Sequence, residues 1–397
     1  MTTITSQARV RPRAALAGAT ILGLPLGSIY AYSVFLSPLE QLLNANRSEL
    51  ASVFGISVIF FTLGMNVVPR LFGRMPVAWI ILIAATLASG GVALASFART
   101  FHELAVGYGV LFAFGGGLAY VAAQQSVNAS PLTRPGLVNG YLVSLFPLGA
   151  MIAAPAFGWG IDRFGVRLTL QCLALVVGLA GIVATALLAH SGVRLGLPGT
   201  GSPVTASTAR SGTRIVFWQL FFVFLLAATA GLMVLSQAAG MLTAYGATKS
   251  AALAATTAIT AAIAAARIAG GWLTDRFPIP FVAGAAHAIA LAGGIALTLV
   301  PTPAMAIPTL GLIGVGYGLV SGVAAGAIAA YWPKALFGQT ASRIYIAWCL
   351  AALALPIAAA RLYDLSGNYK TAIILAAIAN LAGLLVGLTL PRRAHNR

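Results

Sequence analysis

The sequence predicts an all-α membrane protein, with 12 transmembrane helices in two pseudo-symmetric six-helix bundles. Three observations lead there. Of 397 residues, 60% are hydrophobic and only 7% are charged, against roughly 25% charged in a soluble domain. The apolar residues gather into runs of about 20–25, each long enough to cross a bilayer core of about 30 Å as a helix. The longest polar stretch, 191–213, is rich in Gly, Ser, Thr and Pro and divides the chain nearly in half.

In chain order the apolar runs read as helices over 14–36, 49–69, 77–98, 103–126, 136–158, 168–190, 215–239, 250–273, 280–300, 304–330, 339–360 and 370–390. Backbone polar groups in lipid must be satisfied within the segment, which selects helices over isolated strands. The first run follows Arg9, Arg11 and Arg13, contains Pro25 and Gly27, and is too long for a signal-peptide core, so it is expected to be a retained span. The organisation expected is a bundle over 1–190, a flexible linker over 191–213 and a second bundle over 214–397.

The net charge of +17 could suggest a nucleic-acid partner, but the cations sit at span ends and act as topology signals. With the N-terminus inside, fifteen Lys/Arg fall on the cytoplasmic side and seven on the other, leaving Arg267. Both termini are therefore expected in the cytoplasm, in a multi-pass protein of a bacterial inner membrane. Cys172 and Cys349 lie in apolar runs and form neither a metal motif nor a disulfide framework. The expectation is a monomer in the bilayer, with no cofactor, no metal and no nucleic acid. A Ser/His/Asp set, a metal cluster and a phosphate loop are all missing from the sequence, which argues against an enzyme.

The halves echo each other. Asp162-Arg-Phe-Gly165 and Asp364-Leu-Ser-Gly367 are 202 residues apart, and Gly115-Gly-Gly-Leu118 and Gly316-Tyr-Gly-Leu319 are 201 apart. Such repeats build carriers whose site lies near the midplane, where the halves meet.

Arg267, in Ala-Ala-Ile-Ala-Ala-Ala-Arg-Ile-Ala-Gly-Gly (261–271), is the one charge inside an apolar run. A cation there costs on the order of 3 kcal/mol on insertion scales. The six acids, Glu40, Glu49, Glu103, Asp162, Asp275 and Asp364, all fall at span ends or in loops. The partner expected for Arg267 is thus an anionic substrate, which a guanidinium grips through two parallel hydrogen bonds. The competing reading is an arginine that snorkels about 12 Å to the interface near Asp275.

Twelve spans in a 6+6 arrangement resemble the major facilitator superfamily. Gly271-Trp-Leu-Thr-Asp275-Arg276 is similar to the superfamily's loop signature. Its first-half counterpart, Gly64-Met-Asn-Val-Val-Pro69-Arg70-Leu-Phe-Gly73-Arg74, lacks the Asp. The resemblance implies conformational roles for Asp275, Arg276, Arg70 and Arg74, with no charge lock expected in the first half. Gly27-Ser-Ile-Tyr30-Ala-Tyr32-Ser33-Val-Phe35-Leu-Ser-Pro38-Leu39, Ala266-Arg267-Ile268-Ala-Gly-Gly271-Trp-Leu-Thr-Asp275, and Asn-Tyr-Lys at 368–370 resemble the oxalate:formate antiporter and monocarboxylate transporter group. The resemblance implies that Arg267 binds substrate and that spans one, four, seven and ten line the cavity. In the group's dicarboxylate exchanger a second cation, a lysine, stands where Trp348 stands here. One cation suits one carboxylate, so the expected substrate is a small monocarboxylate rather than oxalate.

Tyr30, Tyr32, Tyr120, Tyr317, Tyr345 and Trp348 are candidate cavity aromatics. A phenol offers a hydroxyl to a carboxylate and a ring face to a short carbon chain; the alternative is packing or an interfacial belt. Gln124, Gln125, Ser236, Gln237, Thr256, Thr257 and Thr260 could bond substrate, though most such side chains bond back to helix carbonyls. His287 is a midspan imidazole that could titrate. With the acids confined to span ends, the mechanism expected is anion exchange, facilitated flux or a proton carried with the substrate. It would run by rocking of the two halves, with Pro25, Gly27, Pro147, Gly149, Pro155 and Pro356 letting helices bend. A drug efflux carrier and a non-transporting sensor are the alternative readings. The first favours cavity acids and the second a soluble partner domain.

Overall fold

The computed structural model describes residues 10–196 and 209–392. Arg9, Arg393, Arg397 and residues 197–208 of the central polar stretch lie outside the described residues. Among those described, eleven helical stretches are long and apolar enough to cross a membrane. The longest, Pro135–Ser191, has 57 residues. At 1.5 Å per residue it would measure about 85 Å, nearly three times the bilayer core of roughly 30 Å. Its backbone breaks at Gly165, with φ 82° and ψ 167°, a conformation open to glycine and strained for other residues. The stretch is therefore two spans, and twelve result.

The spans run Pro12–Leu43, Arg47–Arg70, Val77–Ser96, Phe101–Ala129, the two parts of Pro135–Ser191, Ala209–Ala244, Lys249–Thr274, Ile279–Leu299, Pro303–Tyr331, Lys334–Ser366 and Lys370–Leu388. They are numbered one to twelve in that order. Two differences from the sequence reading stand out. Residues 159–167, expected as a loop, stay helical apart from Gly165, whose positive φ turns the chain while Asp162, Arg163 and Arg167 beside it stay exposed. Span seven begins at Ala209, inside the stretch read as a linker.

Side-chain caps and prolines set the helix starts. Asn46, Thr100, Thr248 and Thr302 each accept a backbone N–H at the start of spans two, four, eight and ten. Pro135 and Pro303 occupy first-turn positions where a missing N–H costs nothing. Three spans are irregular inside. Span one tightens to a 3-10 helix over Gly27–Phe35 after Pro25, and span four widens to a π-helix over Ala105–Phe112. Span eleven breaks at Tyr345, between Phe337–Ile344 and Ile346–Leu353, and again at Ala354 ahead of Pro356. Mid-helix departures of this kind often accompany functional sites.

Spans one and three pack on the pair five–six, and span four packs on spans two and three; spans seven, eight and nine pack on span ten, and span nine packs on twelve. The two groups meet where span five crosses spans eight and ten, and where spans two and four meet span eleven. The crossing of five with eight is close because it is built on glycine. A Cβ at position 140 would lie 2.6 Å from the Arg267 carbonyl oxygen and 3.1 Å from the Gly271 Cα. Gly140→Val therefore forces the two bundles apart, at an overpacking cost of roughly 1–3 kcal/mol. Its melting temperature in detergent is expected to fall by about 1–4 °C. Gly158→Ala, inside the same helical stretch where an added Cβ meets open space, should hold or slightly raise the melting temperature.

Candidate functional site

The hydrogen bonds that cross between the bundles gather around one end of the molecule and reach up to the level of Arg267. Asp275, just past span eight, accepts from the backbone N–H of Gly136 and of Leu137, both at 2.8 Å. These donors belong to the first turn of span five, where a carboxylate meets both unpaired N–H groups and the positive end of the helix dipole. On the opposite flank Gln125 of span four does the corresponding work with a neutral amide. Its Nε2 donates to the Lys334 carbonyl at 2.9 Å, and its Oε1 accepts from the Gly338 N–H at 2.5 Å. Lys334 Nζ donates to the Ser130 carbonyl, and Asn66 to the Ser342 carbonyl. The first half, whose loop copy lacks an Asp, is thus bonded to the second through the Gln125 and Asn66 amides and the Lys334 ammonium.

The other residues expected to have conformational roles do not bridge the bundles. Arg276 is exposed and stacks on Trp272 of its own span, 4.2 Å from the ring centroid. Arg70 and Arg74 are exposed after span two, with no cross-bundle hydrogen bond among the described residues.

Above this closed end lies a cavity of about 40 Å³, walled from both bundles. Roughly 10–15 Å³ on the same measure holds one water, so the space suits a molecule of a few non-hydrogen atoms. Span one contributes Tyr30, span four Tyr120, span ten Tyr317, and span eleven Tyr345 and Trp348. Tyr345 faces inward from the break in span eleven. Ile29, Phe61, Met65, Val143, Phe146, Phe224 and Ser321 complete the wall. The rings interlock across the bundle boundary: Tyr30 meets Trp348 at 6.1 Å between centroids, Phe61 meets Trp348 at 6.0 Å, and Tyr120 meets Tyr345 at 5.8 Å.

Arg267 forms the polar end of this cavity and is only 5% exposed. Its Nη1 donates to the Val143 carbonyl of span five at 2.7 Å, and its Nη2 to the Tyr317 hydroxyl at 3.0 Å. The guanidinium also sits 5.2 Å from the Tyr317 ring centroid. Nε is buried without a partner. The side chain runs to the bundle junction and not toward the lipid interface. The one carboxylate ion pair among the described residues is Glu40–Arg47 at the surface, and Asp275 is occupied with span five. The positive charge is therefore balanced by neutral dipoles alone, in a wall that apart from Ser321 is otherwise aromatic and aliphatic.

Two expected cavity residues lie elsewhere. Tyr32 is buried within the first bundle; its hydroxyl donates to the Leu50 carbonyl at 3.0 Å and its ring packs 4.9 Å from Tyr108. In a 3-10 helix, with three residues per turn, positions 30 and 32 point in different directions, so both tyrosines cannot face one cavity. Gln124 sits one turn beyond Tyr120 and walls a smaller cavity of about 10 Å³ between spans one, four and five. Its amide lies near enough to the Tyr345 hydroxyl to interact with it, as Trp348 does with the Tyr30 hydroxyl.

The lesser candidates also resolve. Thr256, Thr257 and Thr260 donate to carbonyls four residues back, and Ser236 to one three residues back. Gln237 accepts from Tyr369 at 3.4 Å. His287 is fully buried in the second bundle between Asn380 and the Val223 carbonyl, off the cavity. Sequence reasoning missed Phe61, Phe146, Phe224 and Val143. As apolar residues in apolar runs, the first three carried no distinguishing mark.

Comparison with known proteins agrees with this architecture. A family model for the Major Facilitator Superfamily matches residues 19–356. Monocarboxylate transporter 11 of Mus musculus is 25% identical over 403 residues, covering 95% of this chain and 87% of that protein. An uncharacterised transporter of the superfamily, YhjX of Escherichia coli (strain K12), is 25% identical over 136 residues, 34% of each chain. Among solved structures, the proton:xylose symporter XylE bound to 6-bromo-6-deoxy-D-glucose superposes with a TM-score of 0.73 at 14% identity, covering 96% of both chains. FucP in the outward conformation gives 0.68 at 15% identity, covering 97% of this chain and all of that one. With twelve spans in two groups, a cavity between them and a matching model over most of its length, the chain belongs to the Major Facilitator Superfamily of secondary membrane transporters.

Proposed function

We propose that this carrier moves a small monocarboxylate across the membrane by alternating access, as an exchanger or by flux that needs no membrane-embedded acid. The observation that carries this reading is Arg267: a buried guanidinium with an unpartnered Nε, at the polar end of a small cavity shared by both bundles. A carboxylate supplies the missing charge through charge-assisted bonds that a neutral cargo cannot make. Tyr317 orients the guanidinium, and Tyr30 and Tyr120 present hydroxyls and ring faces to the cargo. Trp348 and Tyr345 close the far side against a short carbon chain. One cation and a wall of rings select against a second carboxylate. The similarity to a monocarboxylate transporter over 95% of the chain supports the same cargo class.

In this reading the units that rock are residues 1–190 and 214–397. Asp275 and Gln125 hold them together at the end that faces the cytoplasm, with both chain termini on that side of a bacterial inner membrane. None of the six acids lines the cavity, so a proton that accompanies transport travels on the cargo.

The test is competition in proteoliposomes. Uptake of labelled lactate is measured against unlabelled formate, acetate, lactate, pyruvate and oxalate, and against lipophilic amines. The expected result is competition by the monocarboxylates, weak competition by oxalate and none by the amines. Competition by amines with indifference to every acid would make the chain a drug carrier instead.

A further inference from the structure

In a regular helix the Val143 carbonyl would accept the N–H of residue 147. That residue is Pro147, inside the helix of span five, and proline has no N–H to give. The Val143 carbonyl therefore lacks its regular helical donor, in a residue that is 4% exposed and lies on the cavity wall. A buried carbonyl must find a donor somewhere. Here it takes Nη1 of Arg267, at 2.7 Å, from the opposite bundle. The result is a bond across the bundle junction at cavity level, well above the Asp275 and Gln125 locks.

We propose that Pro147 sets how tightly movement of the carrier is coupled to its cargo: by baring the Val143 carbonyl, it gives Arg267 a cross-bundle partner that a carboxylate must displace. This rests on the cargo reading above and adds regulation of the same site. The two acceptors compete for one donor group. A carboxylate oxygen carries a full opposite charge, so it binds a guanidinium more strongly than a neutral carbonyl does. Cargo therefore wins Nη1, and the tie between spans five and eight is released as the cargo binds. Without cargo, parting the bundles at this level would leave a buried cation and a buried carbonyl both short of a bond. The cargo-free carrier reorients slowly, and the loaded one quickly. Such a carrier exchanges one anion for another far faster than it carries out net flux. The carbonyl is neutral and fixed in the backbone, so it can hold the cation without binding it as tightly as an acid would.

The test uses the full-length protein in proteoliposomes with labelled formate, acetate, lactate and pyruvate in turn. Exchange is read with the same unlabelled acid inside, and net uptake with empty vesicles. Pro147→Ala restores an N–H to Val143. The ratio of net uptake to exchange is expected to rise at least about tenfold, with exchange changed less than about twofold. The double variant Pro147→Ala/Leu148→Pro keeps a proline in the helix but bares the Ser144 carbonyl instead; it should behave like Pro147→Ala. An unchanged ratio in Pro147→Ala, or a wild-type ratio in the double variant, would overturn the proposal, the latter by showing that the bend and not the carbonyl matters.

A second readout does not depend on the cargo. In a Cys172→Ala/Cys349→Ala background, spin labels are placed at Thr133→Cys and Phe277→Cys, exposed positions at the Asp275 end of the two bundles. Without added acid, Pro147→Ala should raise the fraction of long distances at least threefold, and no change would sink the proposal. If no acid moves in either transport mode while the distances still shift, the cargo reading fails and the cross-bundle tie stands.

Discussion

Arg267→Gln is expected to reduce uptake of labelled lactate into proteoliposomes by about 100-fold or more, while the purified protein melts at the same or a higher temperature. The two halves of that expectation have different causes. Losing the cation removes charge-assisted bonds to the cargo carboxylate, each worth roughly 1.5–3 kcal/mol, and every 1.4 kcal/mol is about tenfold. The fold, by contrast, is relieved of a buried charge held by a carbonyl and a phenol, and that relief offsets the donor the Val143 carbonyl loses. A guanidinium kept for structural reasons would show the reverse, with melting temperature falling along with activity. Arg267→Lys separates charge from geometry. The ammonium keeps the charge but cannot span Val143 and Tyr317 while gripping a carboxylate with two parallel bonds. Its uptake should fall between wild type and Arg267→Gln. Full uptake by Arg267→Gln would end the carboxylate reading outright.

Arg267 was legible because charge is rare in apolar runs, so a single exception carries information. The spans were legible for the same reason: about 20 apolar residues have few other uses. What the sequence concealed depends on local geometry. The break between spans five and six is one glycine in an unbroken helical pattern. Asp162, Arg163 and Arg167 announce a boundary there, but not that a single glycine makes it. The tightening of span one after Pro25 turned Tyr32 away from the cavity, although both tyrosines looked equivalent two residues apart. Gln125 looked like one more polar side chain, and its role as a lock needs the start of span eleven brought beside it. The Val143 carbonyl was invisible because backbone acceptors have no letter in a sequence. The readable clue was Pro147, four positions on, which identifies the carbonyl left without its helical donor.

Asp275→Ala should open the end of the molecule that it holds shut. Its two oxygens satisfy two N–H groups of the first turn of span five, and the alanine variant leaves both without a protein acceptor. A lost cap costs roughly 0.5–2 kcal/mol, and a lost charge at a helix N-terminus roughly 0.3–1 kcal/mol more. Together these predict about a tenfold rise in the open population, read as the rate at which a cysteine placed at Thr274, within the contact, reacts with a membrane-impermeant thiol reagent. Asp275→Asn keeps one acceptor and loses the charge, so it should fall between wild type and Asp275→Ala. The opposite flank provides the comparison that isolates the charge. Gln125 makes two cross-bundle bonds of its own, but as a neutral amide, and its removal costs no charge–dipole energy. Gln125→Ala should therefore open the same end less than Asp275→Ala does. If the two variants open it equally, the bonds alone hold the bundles and the carboxylate's charge is incidental. If Gln125→Ala opens it more, the amide lock at the start of span eleven is the principal one, and the acid in the loop signature serves chiefly to cap span five.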